Sequence, residues 1–187
     1  MIKESSSSIE DIKFAPSYLT FQIASVSSDS NIYFHEISKN GNILKKLGSI
    51  KVSNRPIHTV SYCKNQMLPN FIVVGTSTLT SGLSYEKMII YMKQKESWKS
   101  VYQFESDAGS VNYTAMADVN WAHQNGRSFH YILSISFNRI YVFKLKIDED
   151  KISPNPITIL YSKIMSSFNY FKPTLGFWNY NVSLVAK

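Results

Sequence analysis

The chain has 187 residues, of which 44% are hydrophobic, 14% aromatic and 18% charged, a balance that supports a packed core and excludes a chain disordered along its length. The formal net charge is +7, yet only Arg55, Arg127 and Arg139 are arginines; base readers favour the planar guanidinium, so the charge reads as a solvated lysine surface and argues against nucleic acid. The single cysteine, Cys63, excludes an internal disulfide and lies in an apolar stretch as a small core residue, which fits a reducing cytoplasmic or nuclear setting.

Residues 1–8, with serine at 5–8 and no apolar signal core, read as a disordered lead-in. From residue 9 one unit recurs. Its first copy holds Asp11-Ile12-Lys13-Phe14, then Ile23 to Ser27, then Asn31 to Ile37, then Ile43 to Val52. The second holds Thr59-Val60-Ser61-Tyr62, then Phe71 to Thr76, then Lys87 to Met92, then Trp98 to Phe104. The third holds Asp118-Val119-Asn120-Trp121, then Tyr131 to Ser136, then Arg139 to Lys144, then Ile157 to Tyr161. An aromatic residue closes the opening stretch at Phe14, Tyr62, Trp121 and again at Trp178, with spacings of 48, 59 and 57 residues. Four short strands repeated at such a period are the blade pattern of a β-propeller, with loops longer than the shortest blades carry.

Turn chemistry agrees. Asn40-Gly41 and Asn125-Gly126 fall between strand-like runs, where both residues tolerate positive φ. Asp148-Glu149-Asp150, followed by Pro154 and Pro156, reads as a solvated loop. A β-sandwich also has many short strands, but the return of the same aromatic and turn positions favours blades. The chain is therefore expected to be all-β: a lead-in at 1–8, blades at 9–52, 57–105 and 110–162, and the start of a fourth at 174–187.

No catalytic or cofactor pattern stands out. The histidines His35, His58, His123 and His130 lack metal-ligand spacing, although His123 and His130 flank a turn that brings them near each other. Gly75 to Gly82 lacks the Lys-Ser/Thr of a phosphate loop, and no Gly-x-Ser-x-Gly elbow occurs. Lys93, Lys95, Trp98 and Lys99 mix basic and aromatic character as single-strand binders do, but a half-buried tryptophan on an outer strand explains them more simply. No catalytic, cofactor-binding or metal residue is assigned, and the chain is not expected to be an enzyme.

Asp11-Ile12-Lys13-Phe14-Ala15-Pro16, Ile23-Ala24-Ser25 and the turn residue Asp29 resemble the opening of a WD-repeat blade, with Phe14 and Pro16 at the strand end. His35-Glu36, Tyr91-Met92 and Phe143-Lys144 stand where that repeat has Trp-Asp. Gly126-Arg127-Ser128-Phe129-His130 and the strand through Phe143 are similar to the fifth blade of the SEH-type nucleoporins, and Phe177-Trp178-Asn179 to the start of the sixth. The related COPII-coat propellers match that string less well. The blade signature so implied comprises Phe14, Pro16, Asp29, Trp121, Gly126, Arg127, His130, Phe143 and Trp178.

That resemblance implies a structural subunit of the nuclear pore outer ring, at the nuclear envelope or in the cytoplasm, supporting protein and mRNA transport. Its partners would be a helical scaffold nucleoporin that donates a blade to an open ring, and other coat subunits; membrane is met only through the coat, and no small-molecule substrate is implied. The family's first two blades have no counterpart before Met1, so an incomplete gene model or a split gene is expected. A COPII or TOR-regulating coat adaptor, or a WD-repeat module reading a peptide or nucleic acid, is the alternative; a reader of acidic ligands loses affinity steeply with salt.

Overall fold

A computed structural model describes residues 7–52, 56–68, 70–80, 83–105, 116–123, 128–136, 139–148, 151–164, 174–178 and 181–185. Among them there is no helix. Strands β1 (Ile9–Phe14), β2 (Gln22–Ser27), β3 (Asn31–Ile37) and β4 (Ile43–Lys51) form the first sheet in that order. The second sheet is β5 (Ile57–Tyr62), β6 (Phe71–Thr80), β7 (Leu83–Gln94) and β8 (Ser97–Glu105), and the third is β9 (Met116–Trp121), β10 (His130–Ser136), β11 (Arg139–Asp148) and β12 (Lys151–Ile164). A two-stranded sheet, β13 (Thr174–Trp178) and β14 (Asn181–Val185), follows. All pairings are antiparallel between consecutive strands, and the first strands β1, β5 and β9 lie against one another.

The stacking follows from alternation along each strand. In the second sheet Val60, Tyr62, Ile72, Val74, Ile89 and Tyr91 pack against Ala24, Val26, Ile32 and Phe34 of the first. Their neighbours Phe71, Val73, Met88 and Ile90 turn the other way, onto Val119, Trp121, Ile132 and Phe143 of the third. A sheet covered on both faces needs nearly continuous apolar strands, which is why Phe71-Ile72-Val73-Val74 and Met88-Ile89-Ile90-Tyr91-Met92 lack polar alternation. Trp98, on the outer strand β8, reaches back to stack on Phe34, with ring centroids 5.0 Å apart and planes 13° apart. It is therefore a packing residue between sheets, not a free platform beside Lys93 and Lys95.

Gly41, at φ 79°, closes the β3–β4 hairpin, with its N–H donating to the Ser38 carbonyl at 2.9 Å. Asn125-Gly126 lies outside the described residues. The expected loop at 148–156 is corrected in part: Pro154 and Pro156 fall inside β12, which runs from Lys151 to Ile164 instead of beginning at Ile157. An edge strand tolerates proline because one side of its backbone faces no partner, and the β11–β12 register shifts between Leu145 and Ile147 to accommodate them. Strands β6 and β7 also run further than expected, so the Ser/Thr-rich stretch after Gly75 is ladder up to Thr80.

Gly75 sits where the second and third sheets approach most closely. A Cβ there would lie 2.7 Å from Thr59 Cγ2 and 2.8 Å from Met116 Cβ, inside contact distance of two tightly packed strands. Gly75→Ala is expected to lower folding stability by about 1–3 kcal/mol through overpacking, read from the urea midpoint.

Candidate functional site

Three inner-strand residues at the same repeat position join the sheets. The Asp11 carboxylate accepts from Thr59 Oγ1 at 3.2 Å and from the Val60 backbone N–H at 3.2 Å. One sheet further on, Asp118 Oδ1 lies 2.9 Å from Thr59 Oγ1, which also accepts from the Val119 N–H at 3.3 Å. Thr59 has a single hydroxyl proton, so it serves Asp11 and Asp118 in alternation. Two residues along, Ser61 Oγ accepts from the Trp121 N–H at 3.0 Å. In each step a side chain of one inner strand satisfies a backbone donor of the next, and the rule runs in one direction around the stack.

The first sheet breaks the sequence of covered faces. Asp11 and Lys13 point toward the second sheet, so Ile12 and Phe14 point away from it. Their equivalents Val60 and Tyr62, and Val119 and Trp121, are buried against the preceding sheet, whereas Ile12 is 54% and Phe14 72% exposed. The same face carries Ser25, Tyr33 and His35 by strand alternation, at positions occupied by Val74, Ile89 and Tyr91 in the second sheet. Tyr33 donates to Asp29 Oδ2 at 2.7 Å, and Lys46 Nζ lies 5.3 Å over its ring. The face is thus open and apolar at its inner strand, while Ser25, Tyr33 and His35 of its middle strands are buried.

The blade-signature residues have distinct placements. Phe14 lies on the uncovered face, and the Pro16 carbonyl accepts from the Leu19 N–H in the β1–β2 turn. Asp29 accepts from the Asn31 N–H at 3.0 Å, in addition to Tyr33, and so fixes the β2–β3 turn. Trp121 and Phe143 are fully buried between the second and third sheets. The Trp121 indole N–H points at His130 Nδ1, 3.4 Å away; burial lowers the His130 pKa below its ordinary 6.5 and keeps the ring a neutral acceptor. Gly126 and Arg127 lie outside the described residues, and Trp178 ends β13. His123 is exposed on the channel side of the third sheet, so the histidine pair is divided between a surface and a core role.

Sequence reasoning passed over Ile12, Thr59, Asp118 and Lys64. The shared repeat position of Asp11, Thr59 and Asp118 was the available signal. Among the described residues, no group of three or more His, Cys, Asp or Glu could hold a metal ion, and no helix is long and apolar enough to cross a membrane.

This stack defines a β-propeller of partial extent: three four-stranded blades and two strands of a fourth. Its fold matches the β-propeller domain of Nup133 from Vanderwaltozyma polyspora with a TM-score of 0.64 at 11% identity, covering 100% of this chain and 55% of that one. It also matches a protein from Lactobacillus plantarum with a TM-score of 0.62 at 10% identity, covering 89% of this chain and 44% of that one. The chain therefore spans about half the length of these solved structures. No protein-family model matches the sequence, and no curated protein matches it.

Two outcomes test this geometry. Thr59→Val removes the hydroxyl that serves two carboxylates and leaves Asp118 short of a donor, so stability should fall by about 1–3 kcal/mol in chemical denaturation. The His130 pKa is lowered on folding, so the unfolded chain binds more protons than the folded one below the ordinary histidine value. Stability is then complete above pH 6.5 and lost as pH falls through the folded pKa. Thermal melts between neutral and mildly acid pH should show that loss, and His130→Gln should flatten it.

Proposed function

We propose that the chain is a structural scaffold module of a coat or pore complex, in the manner of an SEH-type nucleoporin of the nuclear pore outer ring, and that it performs no catalysis. The single observation behind this reading is the uncovered face of the first sheet. Ile12 and Phe14 occupy positions that the second and third blades bury against a neighbour, and covering their exposed surface contributes a share of the ~1.5–3 kcal/mol that full burial of such a side chain is worth. The Phe14 backbone N–H holds the position at which the Trp121 N–H donates to Ser61 of the preceding blade, while the Ile12 N–H donates to its neighbour Asp11 Oδ1 at 2.9 Å.

A fitting partner presents a four-stranded blade, with apolar side chains toward Ile12 and Phe14 and a side-chain oxygen toward the Phe14 N–H. A helical scaffold nucleoporin that contributes such a blade meets those demands by adding a sheet to a stack that already has the register for it. The Nup133 propeller supports this reading as another propeller of the same build in a nucleoporin. Transport of protein and mRNA through the pore, and a place at the nuclear envelope or in the cytoplasm, follow from the same proposal.

The test is purification of the tagged endogenous protein with quantification of co-purifying proteins. Helical pore or coat scaffold subunits in near-equal amounts, lost on Ile12→Asp with Phe14→Asp, are the expected result; the same partners retained by the double variant, or no stable partner, would overturn the reading. Isolated, the chain should move to larger species on sizing as its concentration rises, and the double variant should remain monomeric. A concentration-independent monomer peak for the unaltered chain would count against the uncovered face as an interface.

A further inference from the structure

At the end of the inner strands where each gives way to its first turn, a cavity of about 430 Å³ opens between three blades. Lys13 reaches it from the first blade, Ser61 and Lys64 from the second, Asn120 and His123 from the third. These are repeat-equivalent positions: Lys13, Ser61 and Asn120 stand one before the closing aromatic residue, and Lys64 and His123 stand two after it. The fold therefore converges one set of side chains from successive blades on a single point of the channel rim.

The charge at that point is of one sign. No carboxylate lines the cavity among the described residues. Lys13 Nζ is 3.2 Å from Asp11 Oδ1, but that carboxylate is already shared with Thr59 and the Val60 N–H. Among the described residues, no acidic group lies within ion-pair distance of Lys64 or His123. Burial and the neighbouring Lys13 lower the Lys64 pKa, and burial and Lys64 lower that of His123, so the two ammonium groups feel each other's field with little to offset it and the imidazole is neutral at neutral pH. Tyr62, which forms part of the same wall, has a buried hydroxyl that finds no hydrogen-bond partner among the described residues. The scaffold role leaves this grouping unexplained: the surface costs charge repulsion and holds no blade together.

We propose that this rim pocket binds a phosphoryl group, with the Lys13 and Lys64 ammonium groups as its cationic contacts and Ser61, Asn120 and the His123 ring as neutral donors. A compact dianion neutralises both converging cations at once, and its oxygens accept from ammonium, imidazole, amide and hydroxyl donors in charge-assisted hydrogen bonds. A single carboxylate offers half that charge. The turn that carries part of the wall is held by the Tyr18 hydroxyl, which donates to the Cys63 carbonyl at 3.1 Å or the Asn65 carbonyl at 3.2 Å, so the cationic groups extend from a fixed backbone.

The proposal stands apart from the scaffold reading and is tested on the full chain alone. Calorimetric titration with pyrophosphate at low salt should give one saturable site. Lys64→Met should weaken it at least tenfold, and His123→Gln severalfold. Lys99→Met, which removes the same charge from outer strand β8, should change it less than twofold. Lys64 and His123 stand at the rim and in neither core cluster, so their variants fold. No saturable binding, or equal losses from Lys64→Met and Lys99→Met, would overturn the pocket in favour of diffuse surface charge. A phosphoserine tripeptide bound more tightly than pyrophosphate supports a protein-borne phosphoryl group, and the reverse supports a free phosphate; either upholds the site.

Discussion

Asp11, Thr59 and Asp118 stand at one position on three successive inner strands, and their hydrogen bonds set how closely the sheets approach. Inner strands are the narrow end of each wedge in a propeller, so apolar packing alone would leave backbone N–H groups of β5 and β9 facing a neighbouring sheet without acceptors. The chain meets this by giving each inner strand a short polar side chain that reaches forward to the next strand's backbone. Gly75 belongs to the same constraint: only a residue without Cβ fits where Thr59, Met116 and Val119 converge. Outside that seam the spacing widens, and large residues such as Trp121, Phe143 and the Phe34–Trp98 stack fill it.

The directionality of the relay gives the stack two unlike ends. Each sheet offers side-chain acceptors forward and backbone donors backward. The first sheet therefore presents the Phe14 N–H and exposed apolar residues on its backward face, the Ile12 N–H being taken by Asp11. Its middle strands hold Ser25 and Tyr33 where the third sheet holds Ser134 and Tyr141 on the face packed against the second, so this face keeps the residue pattern of an interface inside the stack.

The fold was legible in the sequence to the extent that repetition was. The four-strand unit and the Gly41 turn were written in local pattern, and the Asp29 turn in the resemblance to a WD-repeat blade. Pro154 and Pro156 misled because proline excludes a central strand but not an edge, and edge status is a property of the sheet that one segment does not reveal. The candidate surfaces were less legible for a related reason. Phe14 and Trp121 are the same letter of the repeat, and only the presence or absence of a neighbouring sheet makes one exposed and the other core. Lys13, Lys64 and His123 are far apart in sequence and unremarked as single residues; the rotation from blade to blade brings them to one rim.

The doubly apolar second sheet has a consequence for how the chain is made. Synthesis delivers the sheets in order, and the second docks on the first through Val60, Tyr62 and Ile89 as soon as it emerges. Its other face, built from Phe71, Val73, Met88 and Ile90, stays bare until Phe143 and Leu145 have left the ribosome. At roughly 5–20 residues per second, the roughly 40 residues between Glu105 and Leu145 take about 2–8 s to appear. During that interval the nascent chain carries a sticky, strand-rich surface of the kind that makes folding intermediates prone to aggregate.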